Sequence, residues 1–161
     1  MHPNAQLIHR FYASFQGRDA AGMAACYHPQ VRFSDPVFLE LDAPGARAMW
    51  EMLCERAKDL QVELGTVAAN DRAGHAHWEA WYTFGATGRA VHNRIDARFV
   101  FDGGTILEHR DNFDLWAWAA QALGPKGRLL GWTPLVKNAI RRQAAAGLAS
   151  YRAKRAAATT G

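Results

Sequence analysis

His109 and Asp111 stand two residues apart in the run Leu107-Glu108-His109-Arg110-Asp111-Asn112-Phe113. In an extended strand that spacing puts both side chains on one face, roughly 6.6 to 7 Å apart, in the company of Leu107 and Phe113. Asp35, in Val31-Arg32-Phe33-Ser34-Asp35, shares the face of Val31 and Phe33 in the same way. A carboxylate withdrawn from water must be paired, hydrogen-bonded or raised in pKa. Folding alone gives no reason to put three ionisable groups on apolar faces. The chemistry such a set supports is proton transfer, with Asp111 or Asp35 as a base taking a proton from carbon or from water, and His109 orienting the base or donating a proton. Asn93 or Tyr82 would hydrogen-bond a developing oxyanion, and Trp78, Phe99, Tyr27 and Phe33 would form the walls. The competing structural reading has Asp35 capping a turn before Pro36 and Asp111 paired with His109 or an arginine, with no ligand involved.

The elements that must position these groups follow from periodicity. Leu7, Ile8, Phe11, Tyr12 and Phe15 recur at helical spacing and predict a helix ending near Gly17. Asp19 suits the N-cap of a second helix that carries Met23, Cys26 and Tyr27 and stops before Pro29. A short strand over 31–35 follows, then a third helix from about Pro44 to Lys58 with Ala46, Trp50, Leu53 and Ala57 on one side. After residue 60 the period changes to two. Leu60, Val62 and Leu64 alternate with Gln61 and Glu63, and Asn70-Asp71 with Gly74 supplies a turn. Residues 76–84, 91–101 and 105–113 read as an antiparallel meander with Trp78, Phe99 and Asp111 on one concave side, closed between the last two strands by Asp102-Gly103-Gly104. On the last strand the alternation puts Leu107, His109, Asp111 and Phe113 inward. Leu115 to Leu123 is an apolar, Trp-rich helix broken by Gly124-Pro125. Thr133-Pro134 opens a final helix to about Tyr151, whose Leu135, Ile140, Ala144, Leu148 and Tyr151 could dock on the domain or on a second subunit. Residues 156–161 are expected to fray.

A chain of 161 residues, half of them apolar, suits one core better than two. No run reaches the roughly 18 to 20 apolar residues of a membrane helix, and the N-terminus lacks a basic then apolar leader, so a cytoplasmic location is expected. Cys26 and Cys54 lack metal or disulfide spacing. Residues 1–114 carry 11 Lys/Arg against 15 Asp/Glu, and residues 115–161 carry 8 against none, so the net charge of +4 belongs to the C-terminal segment. Lys137, Arg141, Arg142, Arg152, Lys154 and Arg155 could attract phosphates or an anionic membrane. With no nucleic-acid motif beside them, a solvated helix face is the simpler reading. His75-x-His77-x-Glu79 has metal-ligand residue types, but on the outward face, so no metal is expected. Arg94, Asp96 and Arg98 should form cross-strand ion pairs there. No Gly-rich phosphate loop is present and the proton chemistry requires no cofactor.

The order of elements and several short strings resemble the nuclear transport factor 2-like superfamily, in its SnoaL-like branch, over residues 5–123. The strings are Phe11-Tyr12, Asp19, Val31-Arg32-Phe33-Ser34-Asp35-Pro36-Val37, Asp102-Gly103-Gly104 with Ile106, and His109-Arg110-Asp111-Asn112-Phe113-Asp114-Leu115. The resemblance implies an α+β, cystatin-like cone: a curved antiparallel sheet packed against three N-terminal helices, its concave face lining a pocket. Residues 124–161 would be a basic helical extension of the domain at 1–123. The resemblance also implies a homodimer through the outer sheet face. Asp35-Pro36-Val37 is similar to the segment that carries the base of ketosteroid isomerases. The oxyanion-binding tyrosine of those enzymes falls at Phe11 and their protonated acid near Ala97, and Tyr12 could serve only if the helix rotated. Asp111 matches one aspartate of the limonene epoxide hydrolases, whose other two catalytic positions fall on Trp78 and Ala80. Two readings stay open. One is a cofactor-independent acid/base enzyme, an isomerase, cyclase or hydrolase of a small hydrophobic metabolite. The other is a non-catalytic ligand-binding or interaction domain.

Overall fold

Apolar stripes on three helices need a surface to cover, and the alternating strands supply it. The structure, a computed structural model, describes all 161 residues. The helices are α1 (Pro3–Gln16), α2 (Ala20–Ala25), α3 (Ala43–Arg56), α4 (Leu115–Ala122), α5 (Pro125–Leu130) and α6 (Pro134–Thr159). The strands are β1 (Tyr27–Ser34), β2 (Gln61–Ala69), β3 (Ala73–Phe84), β4 (Arg89–Asp102) and β5 (Thr105–Asn112), in the order β1-β5-β4-β3-β2. Asp19, Asp42, Asp114 and Thr133 each accept a hydrogen bond from a first-turn N–H and so begin α2, α3, α4 and α6. Strands β2 to β5 form the expected antiparallel run, and Asp102 pairs with Thr105 across a turn in which Gly103 and Gly104 both have positive φ.

The sheet is not wholly antiparallel, because β1 pairs parallel to β5. The two edges, β1 and β2, lie about 19 Å apart by strand spacing. The 14 residues of α3 span roughly 21 Å, enough to carry the chain from one edge to the other. The second helix is shorter than expected. It ends at Ala25, and Tyr27 opens β1, because Ile106 N–H is already bonded to the Cys26 carbonyl. Pro29 lies where the β1–β5 register slips, on an edge strand, so its missing N–H breaks no ladder.

A second slip changes the inward set of β5. Val100 pairs with Glu108 but Phe101 with Ile106, so Leu107 is an extra residue. Ile106 is therefore the buried residue, and Leu107 turns half-exposed to an outer groove, while His109 and Asp111 keep their inward positions. Gly74 belongs to β3 and not to a turn: a Cβ there would meet Ile8 and Phe101 at 3.0 Å, so α1 rests on the sheet only because that side chain is missing.

The main core gathers α1, α2, α3 and the concave face of the sheet, and Leu148 and Tyr151 of α6 complete it. Ile140 joins a smaller core with Val91, Leu115 and Trp118. The last helix is longer than expected, running to Thr159, and α5 forms where only a break was foreseen. Tyr151 donates a hydrogen bond to Glu55 at 2.6 Å and carries the Arg56 and Arg155 guanidinium groups over its ring. Arg141 Nε donates to the Pro36 carbonyl at 2.9 Å. Removal of residues 133–161 is thus expected to forfeit about 1.5 to 3 kcal/mol for each of Ile140 and Leu148. A lower midpoint of thermal unfolding and greater binding of a hydrophobic dye would show it; unchanged values would mean that α6 contributes nothing to the core.

Candidate active site

The middle of α3 and the second half of β5 set the deepest polar group. His109 is fully buried, with 0% exposure, between Phe11, Phe33, Trp50 and Phe99, whose rings lie 4.6 to 6.0 Å from its own. Its Nδ1 is 2.8 Å from the Tyr27 hydroxyl, and its Nε2 is 2.9 Å from Asp111 Oδ1. Trp50 Nε1 lies 2.8 Å from the same Tyr27 oxygen. An indole can only donate, so Tyr27 accepts from Trp50 and directs its own O–H to Nδ1. That leaves Nε2–H to donate to Asp111. Four residues from α3, β1 and β5 thus form one directed chain ending on a carboxylate. Trp78 Nε1 adds a longer 3.4 Å contact to Asp111 Oδ1.

Of this chain, Trp50 and Asp111 reach open space, and Asp111 is its only charged member there. It lines a cavity of about 900 Å³ whose 32 lining residues include 24 hydrophobic ones. Its second oxygen has no partner within the protein and is not sealed off. Asp35, one residue past the end of β1, lines the same cavity. One of its oxygens accepts from Val37 N–H at 2.7 Å and Phe38 N–H at 2.6 Å, the turn-capping role that the structural reading foresaw, and the other stays unsealed toward the cavity. Burial pushes its pKa up to about 7, with the Asp111 charge adding to the rise against the two backbone hydrogen bonds.

Tyr82 and Trp78 of β3 and Asn93 of β4 also line the cavity. The Tyr82 oxygen accepts from Trp118 Nε1 at 2.6 Å, which leaves its hydroxyl proton for a ligand. Burial raises its pKa, and the Asp35 charge adds to this. Tyr27, Phe33, Phe99 and His109 are not walls. They lie in the core beneath the cavity, because the large indoles of Trp50 and Trp78 cover them. His109 thus lies behind Asp111 and does not line the cavity. Tyr12 has not rotated into the site: it is fully buried against Trp78 and Phe99, with its hydroxyl unpartnered. Trp78 and Ala80, where the resemblance to the limonene epoxide hydrolases put the other two catalytic positions, line the same cavity as Asp111, but neither carries a charge.

Several lining residues escaped the sequence reading. Arg56, Lys126 and Gln143 add polar groups, and Val136, Ala139 and Gly147 of α6 form one side. The helical stripe on α6 was visible in sequence, but a stripe does not say whether it meets a core or a cavity. On the outer face, His77 pairs with Asp96 at 2.9 Å, and His92 and Arg94 pair with Glu79 at 2.7 and 3.2 Å. Arg98 forms no ion pair, since His75 and Arg110 oppose it.

Tyr27→Phe tests the buried chain. It strands the Trp50 N–H and His109 Nδ1, so a loss of about 1 to 3 kcal/mol in urea unfolding is expected. A variant as stable as the parent would show that the three groups are not coupled.

No curated protein sequence is significantly similar to this chain. Among solved structures, an epoxide hydrolase of the LEH-like type from M. tuberculosis superposes with a TM-score of 0.62 at 18% identity, covering 83% of this chain and 95% of its own. A candidate SnoaL-like polyketide cyclase from Jannaschia sp. CCS1 gives 0.67 at 17% identity, with 76% and 93% covered. TsrD from Streptomyces laurentii gives 0.63 at 25% identity, with 74% and 92% covered. These three are matched almost end to end, yet none accounts for more than 83% of this chain. The model of the SnoaL-like domain matches residues 8–109, well over half of the sequence. With the five-stranded curved sheet and its covering helices in place, this chain belongs to the SnoaL-like family of the nuclear transport factor 2-like superfamily.

Proposed function

We propose that the protein is a cofactor-independent acid/base enzyme acting on a small, mostly apolar metabolite that bears a carbonyl, hydroxyl or epoxide oxygen. One observation carries the reading: two carboxylates, Asp111 and Asp35, face a single apolar cavity of about 900 Å³, and one of them is held from behind by a buried histidine. A pocket of that size and lining suits a small apolar ligand oriented by few polar groups. Asp111 is the base. His109 fixes its orientation, as the Tyr27 and Trp50 hydrogen bonds fix His109. Asp35, protonated in a large fraction of molecules near neutral pH, is the proton donor. Tyr82 and Asn93 hydrogen-bond the oxygen that gains charge. An isomerase, a cyclase and a hydrolase all need this base and this donor; they differ in whether the base takes its proton from carbon or from water.

The test uses a panel of apolar ketones and epoxides in heavy or isotopically labelled water. Deuterium entering a carbon next to a carbonyl identifies carbon-acid chemistry, and labelled oxygen entering an opened epoxide identifies hydrolysis. A panel whose members raise the melting temperature without exchange or turnover would make this a ligand-binding domain. The homodimer implied by the family resemblance belongs to the same proposal. Its support is the outer face of β3 and β4, where Trp81 stacks on His92 at 4.4 Å among the ion pairs of Glu79 and Asp96.

A further inference from the structure

No helix of this chain is long and apolar enough to cross a membrane, but the mouth of the cavity has the composition of a surface that rests on one. Leu129, Trp132 and Leu135 are exposed by 71, 56 and 76%, and Trp116 and Leu130 are also among the large apolar side chains in contact with solvent. These residues form one patch. Trp116 Nε1 bonds to the Arg128 carbonyl and Trp132 Nε1 to the Leu129 carbonyl, and the Trp116 ring lies against Gly131. With their N–H groups already engaged, both indoles present mainly apolar ring surface. Leu130 and Leu135 also line the cavity, so patch and mouth are continuous.

Cations flank the patch residues along the chain. Lys126, Arg128, Lys137 and Arg142 have no acidic partner, and Arg155 makes the two ion pairs formed from α6. Residues 115–161 hold eight Lys/Arg and no Asp/Glu. Exposed apolar patches mark sites of association. A second copy meeting this face with the same face would set cation against cation, whereas an anionic surface complements it. Tryptophan and leucine flanked by Lys and Arg are the residues that settle at the level of lipid headgroups.

We infer that the surface made by α5, the start of α6 and Trp116 docks on an anionic lipid bilayer and turns the cavity mouth toward it. Electrostatic attraction brings the protein to the surface, and Leu129, Trp132 and Leu135 enter the headgroup region. An apolar ligand dissolved in the bilayer then reaches the cavity without crossing water. Docking does not depend on the acid/base reading; only the delivery of a substrate to Asp111 rests on it.

The experiment is flotation of the full chain with vesicles of equal parts phosphatidylcholine and phosphatidylglycerol, and with vesicles of phosphatidylcholine alone, at low and high salt. Binding is expected to the anionic vesicles and to weaken with salt. Arg128→Glu with Lys137→Glu should abolish it. Leu129→Ser with Trp132→Ala, at exposed positions outside the cavity lining, should leave the melting temperature unchanged and weaken binding at least about tenfold. Absence of binding to the anionic vesicles at low salt would overturn the proposal. So would binding that the Leu129 and Trp132 substitutions leave intact, since that is adsorption by charge alone. A stable dimer that these substitutions dissociate, without vesicle binding, would assign the face to a second copy instead. Asp111→Asn should float like the parent, so loss of docking and loss of catalysis can be told apart.

Discussion

Replacing Asp111 by Asn is expected to lower turnover of any substrate the panel reveals by at least about a hundredfold, with binding largely kept. The amide preserves the size of the side chain, and its oxygen can still accept the His109 Nε2–H at the 2.9 Å position. What it loses is basicity at the oxygen that faces the cavity. A fall in kcat with little change in KM is therefore the expected signature. Because His109 acts through Asp111, His109→Gln should lower kcat less and also shift the pH profile, while leaving ligand affinity near that of the parent. Normal turnover by Asp111→Asn would remove the base from the mechanism. If ligand still bound, the chain would be better understood as a carrier.

Asp35→Asn should change both stability and pH dependence. An ordinary aspartate releases its proton near 3.8, and burial raises this group to about 7 in the folded chain. Between pH of about 4 and 7 the folded state holds a proton that the unfolded state has lost. Rising pH therefore favours unfolding across that window, and the penalty is complete above it. Each pH unit of that window weakens the fold by about 1.4 kcal/mol, which gives a total on the order of 4 kcal/mol. The asparagine variant can still accept the Val37 and Phe38 N–H bonds, so it should be more stable than the parent at pH 8 and about equal at pH 4. If Asp35 works as the proton donor, kcat/KM of the parent should also decline as pH rises through about 7, and the variant should lack that decline. Denaturation curves with the same pH slope in both proteins would place the Asp35 carboxyl in water.

Asp35 and Asp111 are tied together by position, and each limits what the other can do. The Asp111 charge helps to keep Asp35 protonated. An environment that makes two carboxylates differ is a common way to obtain an acid and a base from one residue type. Here the physical difference is plain. Asp111 has a histidine as its partner, and Asp35 has only backbone N–H groups and an apolar cavity.

The amino-acid sequence by itself determined the architecture, since helix and strand have different periods. Period-two alternation through β3 and β4 specified that Trp78, Tyr82, Asn93 and Phe99 share a side, and a slip of one residue would have buried Asp96 and Arg98. The pair His109 and Asp111 was legible for the same reason, as two ionisable groups on an apolar strand face. Asp19 and Thr133 marked where α2 and α6 begin, while the Asp42 and Asp114 caps of α3 and α4 emerged only in the structure. Three further things were decided only in three dimensions. The extra residue Leu107 exchanged places with Ile106, because a bulge depends on the pairing of β5 with β4 and leaves no mark in the alternation of one strand. Tyr27 left its helix for β1, where pairing with Ile106 and a hydrogen bond to His109 outweigh one more helical turn. Tyr27, Phe33 and Phe99 sank beneath the cavity while Trp78 and Tyr82 reached it, since the depth of a side chain below a curved sheet depends on what the helices lay over it. The placing of α6 is the largest of these decisions. Its stripe of Ile140, Ala144, Leu148 and Tyr151 announced that it would be covered, but not by what. Only the folded chain shows that Leu148 and Tyr151 meet the main core, that Ile140 joins the smaller core at the edge of the cavity, and that Ala144 and the exposed Leu135 line the cavity.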